Sequence, residues 1–348
     1  MRWKHNIILP TKDSTLVALH VSRTGDTPCL WLLERRAAKT LRLPFHLDGR
    51  LERIQPFADY CFDAVLPYAS GVSVVRYDSP CAKVMCLASD GSALWDGELQ
   101  DADSRHWGIV EKDEHSLFMA YSSRNLHDAF QKAHVVKINT AAKGQPAEPV
   151  FTVPEEEYSC VQVLVPMAER FALCTRNQGA GVNFHIIDYE GNSLSNGSFA
   201  AHPHSRWAIP LCHVPLATGE NLLGGWQETV PGVRLPWLAR FDADFDVLYG
   251  TALPATNGET AVARLSRAPD GELYALCPPW SIYRLSSRGF PTHVWEVPQN
   301  LRTNSITGIY GVDDGACLIT GSSLVRNGPN HAKAVWLAAV DGAEFAAL

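Results

Sequence analysis

Two histidine-bearing stretches offer the first chemical suggestion in this chain. Residues 202–207 read HPHSRW, and residues 104–107 read SRHW. His202 and His204 are two apart, so in an extended chain both rings project to the same side. Cys212 or His213 would add a third donor of the kind zinc takes. The set is incomplete, because no carboxylate or cysteine spacing finishes it and Pro203 stiffens the loop between the rings. The shared Ser, Arg and Trp of the two stretches read better as one structural corner used twice.

Covalent chemistry finds less support. The chain has no GxSxG elbow, no Walker loop, no HExxH and no GxGxxG opening a βαβ unit. Cys61, Cys81, Cys86 and Cys160 are conceivable nucleophiles, but none has a basic neighbour at a recognisable spacing. The nine cysteines are odd in number, scattered, and without a CxxC pair. That usage predicts reduced, buried thiols in a cytoplasmic protein, not a disulfide framework. The expectation is a chain with no cofactor and no catalytic residue.

Binding chemistry is better represented. Arginines close a recurrent apolar run: HVSR at Arg23, VVR at Arg76, YSSRN at Arg124, CTRN at Arg176 and LVRN at Arg326. Arg105, Arg206 and Arg302 lie in the longer connections. A guanidinium grips carboxylates in two-point fashion, so a ring of them suits an acidic partner segment. Trp107 and Trp207 stand beside two of these arginines, and aromatic–Arg mixtures characterise interface hot spots. Acidic residues share the same loops and offer the alternative of internal neutralisation. Arg105, Arg124, Arg176, Arg206, Arg326, Trp107 and Trp207 are therefore the expected partner-binding residues. His202, His204 and His213 remain weak metal candidates. A second set, Asp63, Glu111, Gln162, His213, Arg264 and Thr307, falls on runs that would be innermost strands. If those line a central channel, a hydrolase or lyase acting on a small anionic substrate at its mouth is the alternative function.

What must position these residues is a repeat. IILP-TKDS-TLVALHV (7–21), AVLP-YASG-VSVVRY (64–77), GIVE-KDEH-SLFMAY (108–121), VLVP-MAER-FALCT (163–175), CHVP-LATGE-NLLGGW (212–226), ARLS-RAPDG-ELYALC (263–277) and GIYG-VDDG-ACLITG (308–321) share one pattern: apolar run, turn, apolar run. A further pair of runs follows each, broken by Asp-Gly or its equivalent, which is hairpin chemistry. Pro44, Pro154, Pro254 and Pro298 close the last run of their copies, as suits an outer strand edge. Only residues 126–134, LHDAFQKAH, suggest a turn of helix. The pattern predicts an all-β chain, a seven-bladed β-propeller with four antiparallel strands per blade. The blades fall near 5–44, 60–99, 106–154, 160–200, 207–254, 261–298 and 304–348, in a single domain. One four-stranded sheet cannot cover both its faces, whereas packed repeats can.

The stretch CLASDGSALWDGEL resembles the repeat of quinoprotein-like propellers. There a strand ends at Asp-x-x-Gly and an aromatic follows on the next strand, a place held here by Trp95 and Trp295. The resemblance implies the propeller fold in its WD40-like and quinoprotein-like sense, and it is to the non-catalytic members, which implies a scaffold for protein–protein interaction. The calcium-bound quinone of the enzyme members has no counterpart in these residues.

Composition agrees with this picture. Charged residues make up 19% and hydrophobic residues 46%, the balance of a folded chain. A net charge of −7 argues against nucleic acid or an anionic membrane as partner. The first residues, MRWKHNIILPTKD, lack the apolar core of a signal peptide, and no eighteen-residue apolar run occurs.

Overall fold

A computed structural model describes residues 3–7, 16–24, 27–34, 39–59, 62–68, 71–78, 81–88, 92–102, 107–124, 131–154, 159–176, 181–200, 207–254, 258–298, 305–312, 315–327 and 330–347. The chain is all-β, with seven antiparallel blades of the propeller type. Blade one comprises β2 (Leu16–Thr24), β3 (Thr27–Glu34), β4 (Lys39–Pro44) and β5 (Gln55–Ala58). Blade two comprises β6 (Ala64–Tyr68), β7 (Gly71–Asp78), β8 (Cys81–Ala88) and β9 (Ala93–Gln100). Blade three comprises β10 (Gly108–Asp113), β11 (Ser116–Arg124), β12 (Gln131–Asn139) and β13 (Glu148–Thr152). Blade four comprises β14 (Cys160–Pro166), β15 (Arg170–Arg176), β16 (Val182–Asp188) and β17 (Ser193–Phe199). Blade five comprises β18 (Trp207–Pro215), β19 (Asn221–Val230), β20 (Val233–Phe241) and β21 (Val247–Ala252). Blade six comprises β22 (Arg264–Arg267), β23 (Leu273–Cys277), β24 (Ser281–Leu285) and β25 (Pro291–Glu296). Blade seven comprises β26 (Ser305–Gly311), β27 (Cys317–Asn327), β28 (Asn330–Val340) and the N-terminal β1 (Trp3–Ile7). A short β29 (Ala346–Ala347) adds to the edge of blade six.

Two compact units divide these blades. The first, Met1–Phe62 with Leu253–Leu348, holds blades six, seven and one; the second, Asp63–Ala252, holds blades two to five. Within the second unit β6 packs on β10, β10 on β14, and β14 on β18; within the first, β22 packs on β26 and β26 on β2. First strands are therefore neighbours, as propeller blades require. The strand sequences follow from this arrangement. Middle strands are covered on both faces, so β15 reads RFALCTR, with its five central residues buried. The outer β17, SLSNGSF, is mostly exposed and correspondingly polar. Apolar seams join the blades: Phe118 of blade three meets Phe171 of blade four at 5.3 Å, and Phe199 of blade four meets Trp237 of blade five at 6.1 Å. Each such buried side chain contributes about 1.5–3 kcal/mol.

Four expectations are corrected. Blade one does not run over 5–44. TLVALHV belongs to its first strand, not its second, and its fourth strand lies at Gln55–Ala58. The N-terminal run instead pairs with β28, Trp3 opposite Ala339 and Ile7 opposite Val335. It therefore supplies the outer strand of blade seven, the place that the 304–348 copy gives to its last run, AEFAAL. That segment turns away because Asp341 caps a 3-10 turn at Gly342–Glu344 through a reciprocal capping box. Within 126–134, the residues from Gln131 onward are β12 and not helix, because Ala133 and Val135 alternate into the core with strand period. The Pro44 position shifts with blade one and closes its third strand, while Pro154, Pro254 and Pro298 follow outer strands.

Candidate functional site

Strand alternation puts the ends of second strands and the starts of first strands at the same end of a blade. In the second unit Arg176 ends β15 and Trp207 opens β18. Arg176 is exposed, and its guanidinium lies over the Trp207 ring, 5.4 Å from the centroid. Two of the expected binding residues, from blades four and five, are thus brought together. Trp207 stands opposite Glu228 on β19, and Glu228 opposite Arg234 on β20. Arg234 covers Trp226 at 4.3 Å. Glu228 Oε1 accepts the Gly232 N–H at 3.1 Å, in a turn where Gly232 has φ +79°. Exposed Val230 and Val233 flank that turn. The sequence reading missed Arg234, Trp226 and Glu228 as neighbours of Trp207, although VPG in ETVPGVR marks the hairpin that aligns them.

The arginines at the opposite blade ends are differently engaged. Arg170 pairs with Asp244 at 2.6 Å, Arg284 with Glu272 at 2.7 Å, and Arg240 with Glu220. The Thr218 hydroxyl and the Arg240 guanidinium hold the Glu220 carboxyl below the usual carboxylate range. Among the described residues no carboxylate pairs with Arg176 or Arg234. Both guanidinium groups rest on tryptophan faces.

Trp107, also expected at the binding face, is half-buried and stacks on Tyr121 at 6.1 Å within the seam between blades two and three. Arg124 closes β11 and Arg326 lies near the end of β27; their side chains lie outside the described residues, as do Arg105, Arg206, His202 and His204 entirely. Arg23 ends a first strand, so it belongs to the opposite end of its blade from Arg326. Cys160 opens β14, with Ser122 Oγ 3.6 Å and Gln162 Nε2 3.5 Å from its Sγ.

Among the described residues no group of three or more His, Cys, Asp or Glu is placed to hold a metal ion. Cys212 Sγ lies against the Gly224 carbonyl at 3.6 Å. His213 follows it on the first strand of blade five, and burial lowers its imidazole to about 4, so the ring is neutral at ordinary pH. Gln162 donates its amide to the Cys160 and Val161 carbonyls, and Thr307 Oγ1 lies 3.4 Å from the Thr320 carbonyl. No helix is long and apolar enough to cross a membrane among the described residues.

No family model matches the chain, and no curated protein matches it. A solved prolyl endopeptidase structure is similar, with 14% identity and a TM-score of 0.60 over 95% of this chain. The chain spans 48% of that structure's length. At that identity the likeness concerns the fold alone, and it agrees with the seven-bladed propeller.

Proposed function

We propose that this chain is a propeller scaffold that binds an acidic segment of another protein, on a surface that itself carries out no reaction. The long-loop end of blades four and five is the contact surface, with Arg176 and Trp207 at its centre and Arg234 and Trp226 beside them. One contrast supports the reading. At the short-turn end Arg170, Arg240 and Arg284 each pair with a carboxylate, whereas Arg176 lies exposed over an indole with no carboxylate partner among the described residues. Aromatic-backed guanidinium groups favour carboxylates over phosphate-rich polymers here, because the chain's own charge of −7 repels nucleic acid. We place this work in the cytoplasm, a reading supported by the absence of any disulfide among the described cysteines.

The test is capture. The purified chain is used as bait, co-purifying proteins are identified, and Arg176→Glu is compared with wild type. Capture of the same partner should be lost, while the thermal midpoint moves little, since an exposed cation–π pair is worth about 0.5–1 kcal/mol. Undiminished capture by Arg176→Glu would remove this surface from consideration.

A further inference from the structure

Blade three holds a second cluster, which the binding reading does not use. It lies on the side of the sheet that packs against blade two. Tyr121 and Ser123 share one side of β11. His134 stands directly opposite Tyr121, Lys132 opposite Ser123, and Thr152 opposite His134. Ser123 Oγ is 2.6 Å from His134 Nε2, and His134 Nδ1 is 2.9 Å from Thr152 Oγ1. Tyr121 stacks on the imidazole at 5.3 Å, with Trp107 stacked beyond it. Ala102 bridges to Ser123, which brings Asp101 to the cluster in a left-handed backbone conformation of φ 55°.

This chain of contacts has a direction. Thr152 can accept from Nδ1–H, which leaves the Nε2 lone pair to accept from the Ser123 hydroxyl. That is the arrangement in which a histidine removes a serine proton. Burial, and then the charge of Lys132, lower the His134 imidazole below its usual range, with Asp101 opposing them. The ring is therefore neutral, as a base must be. Ser123, Lys132 and His134 are each only partly covered, unlike the buried Tyr121 beside them.

We propose that Ser123 and His134 form a nucleophile–base pair that hydrolyses small carboxylic esters bearing an apolar or aromatic group. The half-buried Trp107, stacked on Tyr121, supplies the wall for that group. Ser123 Oγ bonds to the ester carbonyl carbon while its proton passes to His134 Nε2. The ester C–O bond then breaks, and the departing alkoxide takes that proton and leaves as the alcohol. Water attacks the acyl-serine in the same manner, giving the carboxylic acid and restoring the serine. Lys132, beside Ser123, favours the negative charge that develops on the carbonyl oxygen. Thr152 is a positioning residue that fixes the tautomer.

The probe is an alkyl fluorophosphonate, applied to the full chain and mapped by peptide mass spectrometry. The expected adduct is on Ser123, formed with loss of fluoride, and absent in Ser123→Ala. His134→Gln should slow its formation by about 10²-fold or more, the usual effect of a lost general base. Thr152→Val should shift the pH profile of labelling, which a merely structural hydroxyl would not do. Should His134→Gln fold poorly, the wild-type profile decides. Labelling must rise through one ionisation below 6.5, the ordinary histidine value, and then level off. Absence of the Ser123 adduct, equal rates in a folded His134→Gln variant, or a flat profile would each overturn the proposal.

Discussion

Single residues here take their chemistry from register more than from neighbours in sequence. Ser123 and His134 are 11 positions apart, and His134 and Thr152 are 18 apart. No motif spans those distances; only the pairing of β11, β12 and β13 does. Arg176 and Trp207 were legible as types suited to binding, but their meeting across blades four and five was not. His213 shows how burial sets protonation. Its folded imidazole is lowered to about 4 against an ordinary 6.5, so the unfolded chain binds the extra proton across that window. Stability must therefore fall as pH drops from above 6.5 toward 4, and be recovered above it. His213→Leu should flatten that part of the curve, as read from urea midpoints at pH 7.5 and pH 5. A variant that loses as much stability as wild type over this range would assign the acid sensitivity to other groups.

Strands are more legible than their assignment to blades. The continuous apolar runs FALCT and LYALC lie in β15 and β23, whose Phe171–Thr175 and Leu273–Cys277 are buried throughout. Middle strands covered on both faces have this composition. The first and last strands were harder, because one apolar run can satisfy either of two open sheet edges. IILP, from Ile7, reads as the opening strand of a blade, yet Ile7 ends the strand Trp3–Ile7, which completes blade seven. Ile7 is buried there against the core shared with Leu30, Leu337 and Ala339, and Lys4 lies over the Trp336 ring at 5.3 Å. The closing strand thus ties blade seven to the chain's beginning, and its loss would leave the β28 edge unpaired. Deleting residues 1–7 is expected to lower the thermal midpoint and promote association, and a peptide of that sequence added in trans should restore the midpoint. An unchanged midpoint after deletion would mean that β1 is ornamental to blade seven.

At the level of the whole molecule, the near-fifty-residue period was readable because each copy must present both faces to neighbouring sheets. The partition into two compact units was not readable, since no linker or change of composition marks Phe62–Asp63 or Ala252–Leu253. Cysteines provide a test that samples both units. Cys29, Cys277 and Cys317 are buried in blades one, six and seven, and Cys86 and Cys174 in blades two and four. Desolvation pushes the Cys86 thiol up to about 11 and raises Cys174 and Cys317 as well. Alkylation requires a reachable thiolate, so these five should stay unmodified by iodoacetamide at pH 8 in the native chain. The partly covered Cys81, Cys160 and Cys212 should react first. Cys317 lies in the seam of blades six and seven, Cys86 in that of blades two and three, and Cys174 in that of blades four and five; where such seams bind the blades of a unit together, its thiols should become reactive together as urea is added. Cys29, Cys277 and Cys317 would share one midpoint, and Cys86 and Cys174 would share one. A thiol that opens well before its companions would show that its blade unfolds alone, and that the seams do not bind the blades of a unit into one cooperative body.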